Sequence, residues 1–65
     1  MNEFQRLRKE NHLKQREMSE ILSVSLSHYT KLEGDFVKPS VDVLERVKAN
    51  FIDEDMNNFF KKEKA

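Results

Sequence analysis

The chain has 65 residues, of which 37% are charged, with twelve basic and twelve acidic side chains, two histidines and no cysteine. That length holds one domain near the lower limit for independent folding, and the missing cysteines exclude a disulfide framework and thiolate chemistry. The zero net charge leaves any basic face to local arrangement, and the opening MNEFQRLRKE has no apolar run for a signal peptide or a membrane span, so a reducing cytoplasm fits best.

Apolar residues recur at helical spacing, so the chain reads as folded in spite of its charge. One glycine and one proline leave little punctuation, and no strand-type alternation occurs. The first predicted helix runs from about Asn2 to Asn11, with Phe4 and Leu7 three apart on one face. The second runs from about Gln15 to Leu22, with Met18, Ile21 and Leu22 on one face and Leu13 docked beside it. The third begins after Val24 with Ser25 as its N-cap, turns Tyr29 and Leu32 inward, and stops at Gly34. Pro39 bars helix at Lys38, and Ser40 caps a fourth helix carrying Val41, Leu44, Val47 and Phe51. A fifth is predicted over about 53–62: Asp53, Glu54 and Asp55 suit its start, Lys61 and Lys62 suit its end, and Met56, Phe59 and Phe60 are its apolar residues. The expectation is an all-α, compact bundle of five short helices in one domain spanning residues 1–65.

The connection Ser23-Val24-Ser25 is the informative one. Two short helices joined by about three residues are the layout of a helix-turn-helix. Over about residues 3–51 the sequence resembles the Cro/C1-type (Xre-like) helix-turn-helix family. The resemblance rests on LRKEN and on LKQREMSEILSVSLSHYTKLEGDFVKPSVDVLERV. The ordered set is Leu13, Gln15, Ser19, Ile21 with Leu22, the turn, Leu32-Glu33 and Pro39-Ser40. Three positions depart from the pattern: Lys14 stands where Ser or Thr is usual, Ser23 replaces the turn glycine, and the loop glycine is moved to Gly34 with Asp35 in its place.

The resemblance implies a lambda-repressor-like domain with its helix-turn-helix at about 15–33. It also implies roles for the residues of SVSLSHYTKLEGD. Leu26, Ser27 and Lys31 would face base edges with His28 beside them: Lys31 suits guanine O6 and N7, Ser27 several bases, and Leu26 a thymine methyl. Gln15 would donate its amide to a phosphate, and Lys14, Arg16, Lys38 and the Tyr29 hydroxyl are further phosphate contacts. Arg8 and Lys9 extend the basic rim. Glu33 is structural, accepting hydrogen bonds or pairing with a basic residue of the first or second helix. Phe59 and Phe60 are adjacent, so one packs inward with Met56 and the other forms a two-fold dimer interface with Ile52.

The functional expectation is sequence-specific binding of double-stranded DNA by a small dimeric regulator, a repressor of palindromic operators. The alternative is a helix-turn-helix-derived protein–protein interaction module. No nucleophile–base pair or phosphate loop is visible, so no enzymatic activity, cofactor or small-molecule ligand is expected. A metal site is not expected either, since His12 lies on a different segment from His28 and no cysteine supports one.

Overall fold

The computed structural model describes residues 2–59. Helix α1 spans Glu3–Glu10, α2 Gln15–Ile21, α3 Leu26–Glu33 and α4 Val41–Asn50, and a 3-10 turn covers Met56–Phe59. Four α-helices and one 3-10 turn therefore stand, among the described residues, where five helices are expected. Asp53 lies in a turn, Glu54 in a bend and Asp55 in irregular chain, so none of them forms a first helical turn. The i, i+3 spacing of Met56 and Phe59 fits a three-residue period as well as a 3.6-residue one, and the intervening Asn57-Asn58 is a poor propagator of α-helix. Asp55 still caps this element, its Oδ1 accepting the Asn57 amide at 3.0 Å.

The helix starts follow side-chain chemistry. Ser25 Oγ accepts the His28 amide at 3.0 Å and Ser40 Oγ the Val43 amide at 3.1 Å. Lys14 has no acceptor to offer α2, and the Glu17 carboxylate supplies half a capping box by accepting the Lys14 amide at 2.8 Å. Asn2 caps α1 through Oδ1, which accepts from Phe4 and Gln5. The same side chain donates through Nδ2 to the Leu32 carbonyl and to Asp35 Oδ1, tying the start of α1 to the end of α3.

The helix ends share one device. Helices α1, α2 and α3 each close with paired backbone bonds from the two residues beyond the C-cap: Leu13 to Arg8 and His12 to Lys9, Val24 to Ser19 and Ser23 to Glu20, Phe36 to Lys31 and Asp35 to Leu32. The turn demands a left-handed residue each time, and His12, Ser23 and Asp35 take it at φ of 58°, 59° and 62°. None of them is glycine. Gly34 has an ordinary φ of −89°, and its missing side chain matters for another reason: a Cβ there would lie 2.7 Å from the Phe36 ring.

The core comprises Phe4, Leu7, Met18, Leu22, Tyr29, Leu32, Val43 and Val47, with Leu13, Ile21, Val24, Val37, Leu44, Phe51, Met56 and Phe59 packed around it. Helix α4 turns Val43 and Val47 inward with Leu44 and Phe51 at the edge. Val41, expected in that stripe, is 70% exposed because it begins the helix on the outer side. The Phe59 ring meets Phe4 edge-on at 5.0 Å, so the chain after α4 folds back onto α1.

Candidate nucleic-acid interface

The inward side of α3 is organised around one carboxylate. Glu33 Oε2 accepts from Arg8 Nε and from the Tyr29 hydroxyl, each at 2.5 Å, and Oε1 accepts from Arg8 Nη2 at 3.3 Å and from Gln15 Nε2 at 3.1 Å. Arg8 also donates through Nη1 to the Leu13 carbonyl, 3.0 Å away. Helices α1, α2 and α3 thus each send a side chain to Glu33. Burial alone would raise the Glu33 carboxyl, but the donors of Arg8, Tyr29 and Gln15 outweigh it and hold its pKa below the ordinary value. Tyr29 is pushed the other way, first by burial and then by donating to Glu33.

The outward side of α3 carries no such bonds. Leu26, Ser27, His28, Thr30 and Lys31 are all exposed. Thr30 is turned back, its hydroxyl donating to the Ser27 carbonyl at 2.8 Å. Among the described residues, no hydrogen bond or ion pair takes the side chains of Ser27, His28 or Lys31. A rigid inner face and an uncommitted outer one are what a reading helix needs, since a side chain already bonded within the domain has fewer groups left for a base edge.

Lys14 and Arg16 are exposed at the start of α2, Lys38 is exposed in the loop after α3, and Gln15 is half-buried between them and Glu33. Gln15 keeps one amide hydrogen beyond the one given to Glu33. The acidic residue in the loop, Asp35, is engaged with Asn2. Arg46 crosses from α4 to the Leu22 carbonyl at 3.4 Å, fastening the turn between α2 and α3 from behind.

Two expectations need correction. The Tyr29 hydroxyl does not reach a phosphate: the residue is fully buried, and its hydroxyl donates to Glu33 and lies 3.3 Å from the Phe4 carbonyl. Arg8 does not belong to a basic rim, because its fork is spent on Glu33 with the side chain only 13% exposed. Of the residues assigned to a dimer interface, Ile52 is 81% exposed, whereas Met56 and Phe59 pack against the core, and Phe60 lies outside the described residues.

The helix-turn-helix family model HTH_3, of Xre/Cro/C1 type, matches residues 4–47, more than half of the chain. The chain belongs to that family. No curated protein and no solved structure matches it significantly. The matched segment of this Xre-type domain contains α1 but for Glu3, all of α2 and α3 and most of α4, and stops before the 3-10 turn, so the family resemblance covers the Glu33 hub and the outward face of α3 but not the fold-back of Phe59 onto Phe4. Membership points to a DNA-binding transcription regulator. No helix among the described residues is long and apolar enough to cross a membrane.

The sequence did not expose the bond from Gln15 to Glu33 or the double duty of Asn2. Asn2 carried a readable signal, since Asn before Glu-Phe is a good N-cap, but nothing local announces its bond to Leu32, thirty residues away.

Proposed function

We propose that the chain is a sequence-specific double-stranded DNA-binding regulator that acts as a repressor, as a dimer on a palindromic site. The observation that carries this reading is the exposed, uncommitted outer face of α3 on a base locked through Glu33. In this reading Ser27, His28, Lys31 and Leu26 meet base edges in the major groove, and Gln15, Lys14, Arg16 and Lys38 meet the flanking phosphates. Lys31 donates to guanine, and the 36%-exposed Leu26 offers a methyl contact to thymine. The activity is binding rather than catalysis, and it needs no cofactor; the chain works in the cytoplasm.

Dimerisation rests on Ile52, which among the described residues of that set is the one the domain leaves bare. The competing reading, a protein-interaction module that has lost DNA binding, is favoured by the same bare surface at Ile52 together with Phe36, 80% exposed. Selection from a random duplex pool separates the two. An enriched palindrome, a relaxed preference at one position in Lys31→Ala and uniform weakening in Gln15→Ala are expected. No enrichment at low salt would sink the DNA reading in favour of the interaction module.

A further inference from the structure

Gln15 is ambiguous as a phosphate contact. Its side-chain amide has a donor end and an acceptor end, and a half-turn about the last side-chain bond exchanges them. Only the donor end attracts a phosphate oxygen; the carbonyl end repels it. At a solvated site the two orientations would interconvert, and the phosphate would have to select one.

The structure removes that freedom. Nε2 lies 3.1 Å from Glu33 Oε1, and that oxygen is itself held by Arg8 Nη2. The other oxygen is held by Arg8 Nε and the Tyr29 hydroxyl. All four groups around the carboxylate are donors, and the Glu33 side chain is 6% exposed. A carboxylate fixed on both oxygens accepts from Gln15 and offers nothing for the Gln15 carbonyl to accept, so the nitrogen is bound toward Glu33. The second hydrogen sits on that same nitrogen at a fixed angle and remains available.

We infer that Glu33 is a positioning residue for DNA binding: by taking one hydrogen of the Gln15 amide it holds the other in place as a preorganised donor for a backbone phosphate. The inference rests on the DNA-binding reading above. It assigns to the Arg8–Glu33 pair, besides its part in the fold, an effect on affinity that passes through Gln15 alone. The benefit is preorganisation, since a donor already oriented loses less freedom on binding.

The test is a double-mutant cycle on the full chain with the selected duplex, at a temperature where circular dichroism shows every variant folded. Glu33→Met alone would leave Arg8 as an unpaired buried charge and risks unfolding. Arg8→Met combined with Glu33→Met removes the pair as a unit, a change that buried pairs often tolerate, and it leaves the net charge of the domain unaltered. Gln15→Ala is expected to weaken binding about tenfold, as for the loss of a hydrogen bond to a charged group. The paired Met variant is expected to weaken it by a similar factor, and the triple variant no further. Val47→Ala, a core truncation unconnected to Gln15, reports what destabilisation alone does and should leave affinity of the folded protein within about twofold.

Multiplying losses in the triple variant, about a hundredfold together, would overturn the inference, as would full affinity in the paired Met variant. The unmodified chain gives a second readout without DNA. In its amide NMR spectrum the Gln15 Nε2 proton given to Glu33 should be shifted downfield of its position in a solvated glutamine, and both protons at solvated-glutamine shifts would overturn the inference even if no variant folds. Failure of the wild-type chain to bind any duplex is a different result: it defeats the reading of the interface and takes the inference with it.

Discussion

Arg8 meets one carboxylate, Glu33, with both side chains nearly out of water; Arg6, two residues earlier on α1, meets three, Glu3, Glu10 and Glu54, from a side chain that is 29% exposed. The first network closes the helix-turn-helix, drawing α1, α2 and α3 onto one group. The second fastens the chain after α4 to the outer side of α1 through Glu54, which also accepts from Asn58 at 3.0 Å. Charge is held in both. Burial works against the Arg6 cation, and its carboxylates outweigh that, so its pKa lies above the usual range; for Arg8 the bond to Glu33 leads and burial opposes. The difference lies in what replaces each bond when it breaks. Water and two spare carboxylates stand ready around Arg6, whereas around Glu33 each lost partner leaves a buried polar group exposed to nothing.

The largest test of this contrast is Arg8→Ala. Removing one member of a buried pair costs about 3–5 kcal/mol, because the remaining charge has no solvent to turn to. A 65-residue domain has about 3–10 kcal/mol of stability in all. Urea unfolding followed by circular dichroism should therefore show the loss of about a third or more of the domain's stability. A loss under about 1 kcal/mol would mean that the network is ornamental and that apolar packing alone holds α1 to α3.

Acid should act on the same group more gradually. Glu33 has a folded-state pKa below its ordinary value of 4.5, so protons bind the unfolded chain first. The stability it contributes is complete above pH 4.5 and is lost as the pH falls from there through the folded-state value. Chemical denaturation at stepped pH should show this slope in the wild type and a reduced one in Arg8→Met with Glu33→Met, in which the titrating group is gone. Equal slopes in the two proteins would assign acid sensitivity to other carboxylates.

How far these features could be read from the sequence varies along the chain. Ser25 and Ser40 announce the starts of α3 and α4 because capping is local, and the inward pair Tyr29 and Leu32 follows from spacing alone. The three left-handed turns were only partly legible, at Ser23 and at the displaced glycine. Their usual sign is glycine, and here His12, Ser23 and Asp35 accept the strained conformation instead. The role of Glu33 as an acceptor was legible, and so was its pairing with a basic residue of the first or second helix, which is Arg8; the bonds from Tyr29 and from Gln15, 18 positions away, were not. Tyr29 shows the cost of judging a polar atom by its residue type: a phenol on the reading helix invites a phosphate, and only the packed structure shows its hydroxyl already committed inside. The extra helix expected after Asp53 failed because acidic residues mark the beginning of α-helical and 3-10 turns alike.

The smallest predicted effect belongs to the outer network. Glu54→Gln keeps an oxygen able to accept from Arg6 Nη2 and from Asn58, and Glu3 and Glu10 remain bonded to Arg6 at 2.6 and 2.8 Å. The Glu54 side chain is only 8% exposed, but the glutamine keeps an acceptor and Arg6 keeps two carboxylates, so global unfolding should shift by about 1 kcal/mol or less. The change should surface locally. The amides of Glu54 and Asn58 donate to Phe51 and Asp55 in the two turns that this network steadies, and their hydrogen exchange should quicken while the amides of α3 keep their protection. A loss above about 2 kcal/mol, or faster exchange in α3, would show that the chain after α4 is as firmly part of the domain as the helix-turn-helix. The contrast between Arg6 and Arg8 would then be one of solvent exposure only, without consequence for how the two regions are held.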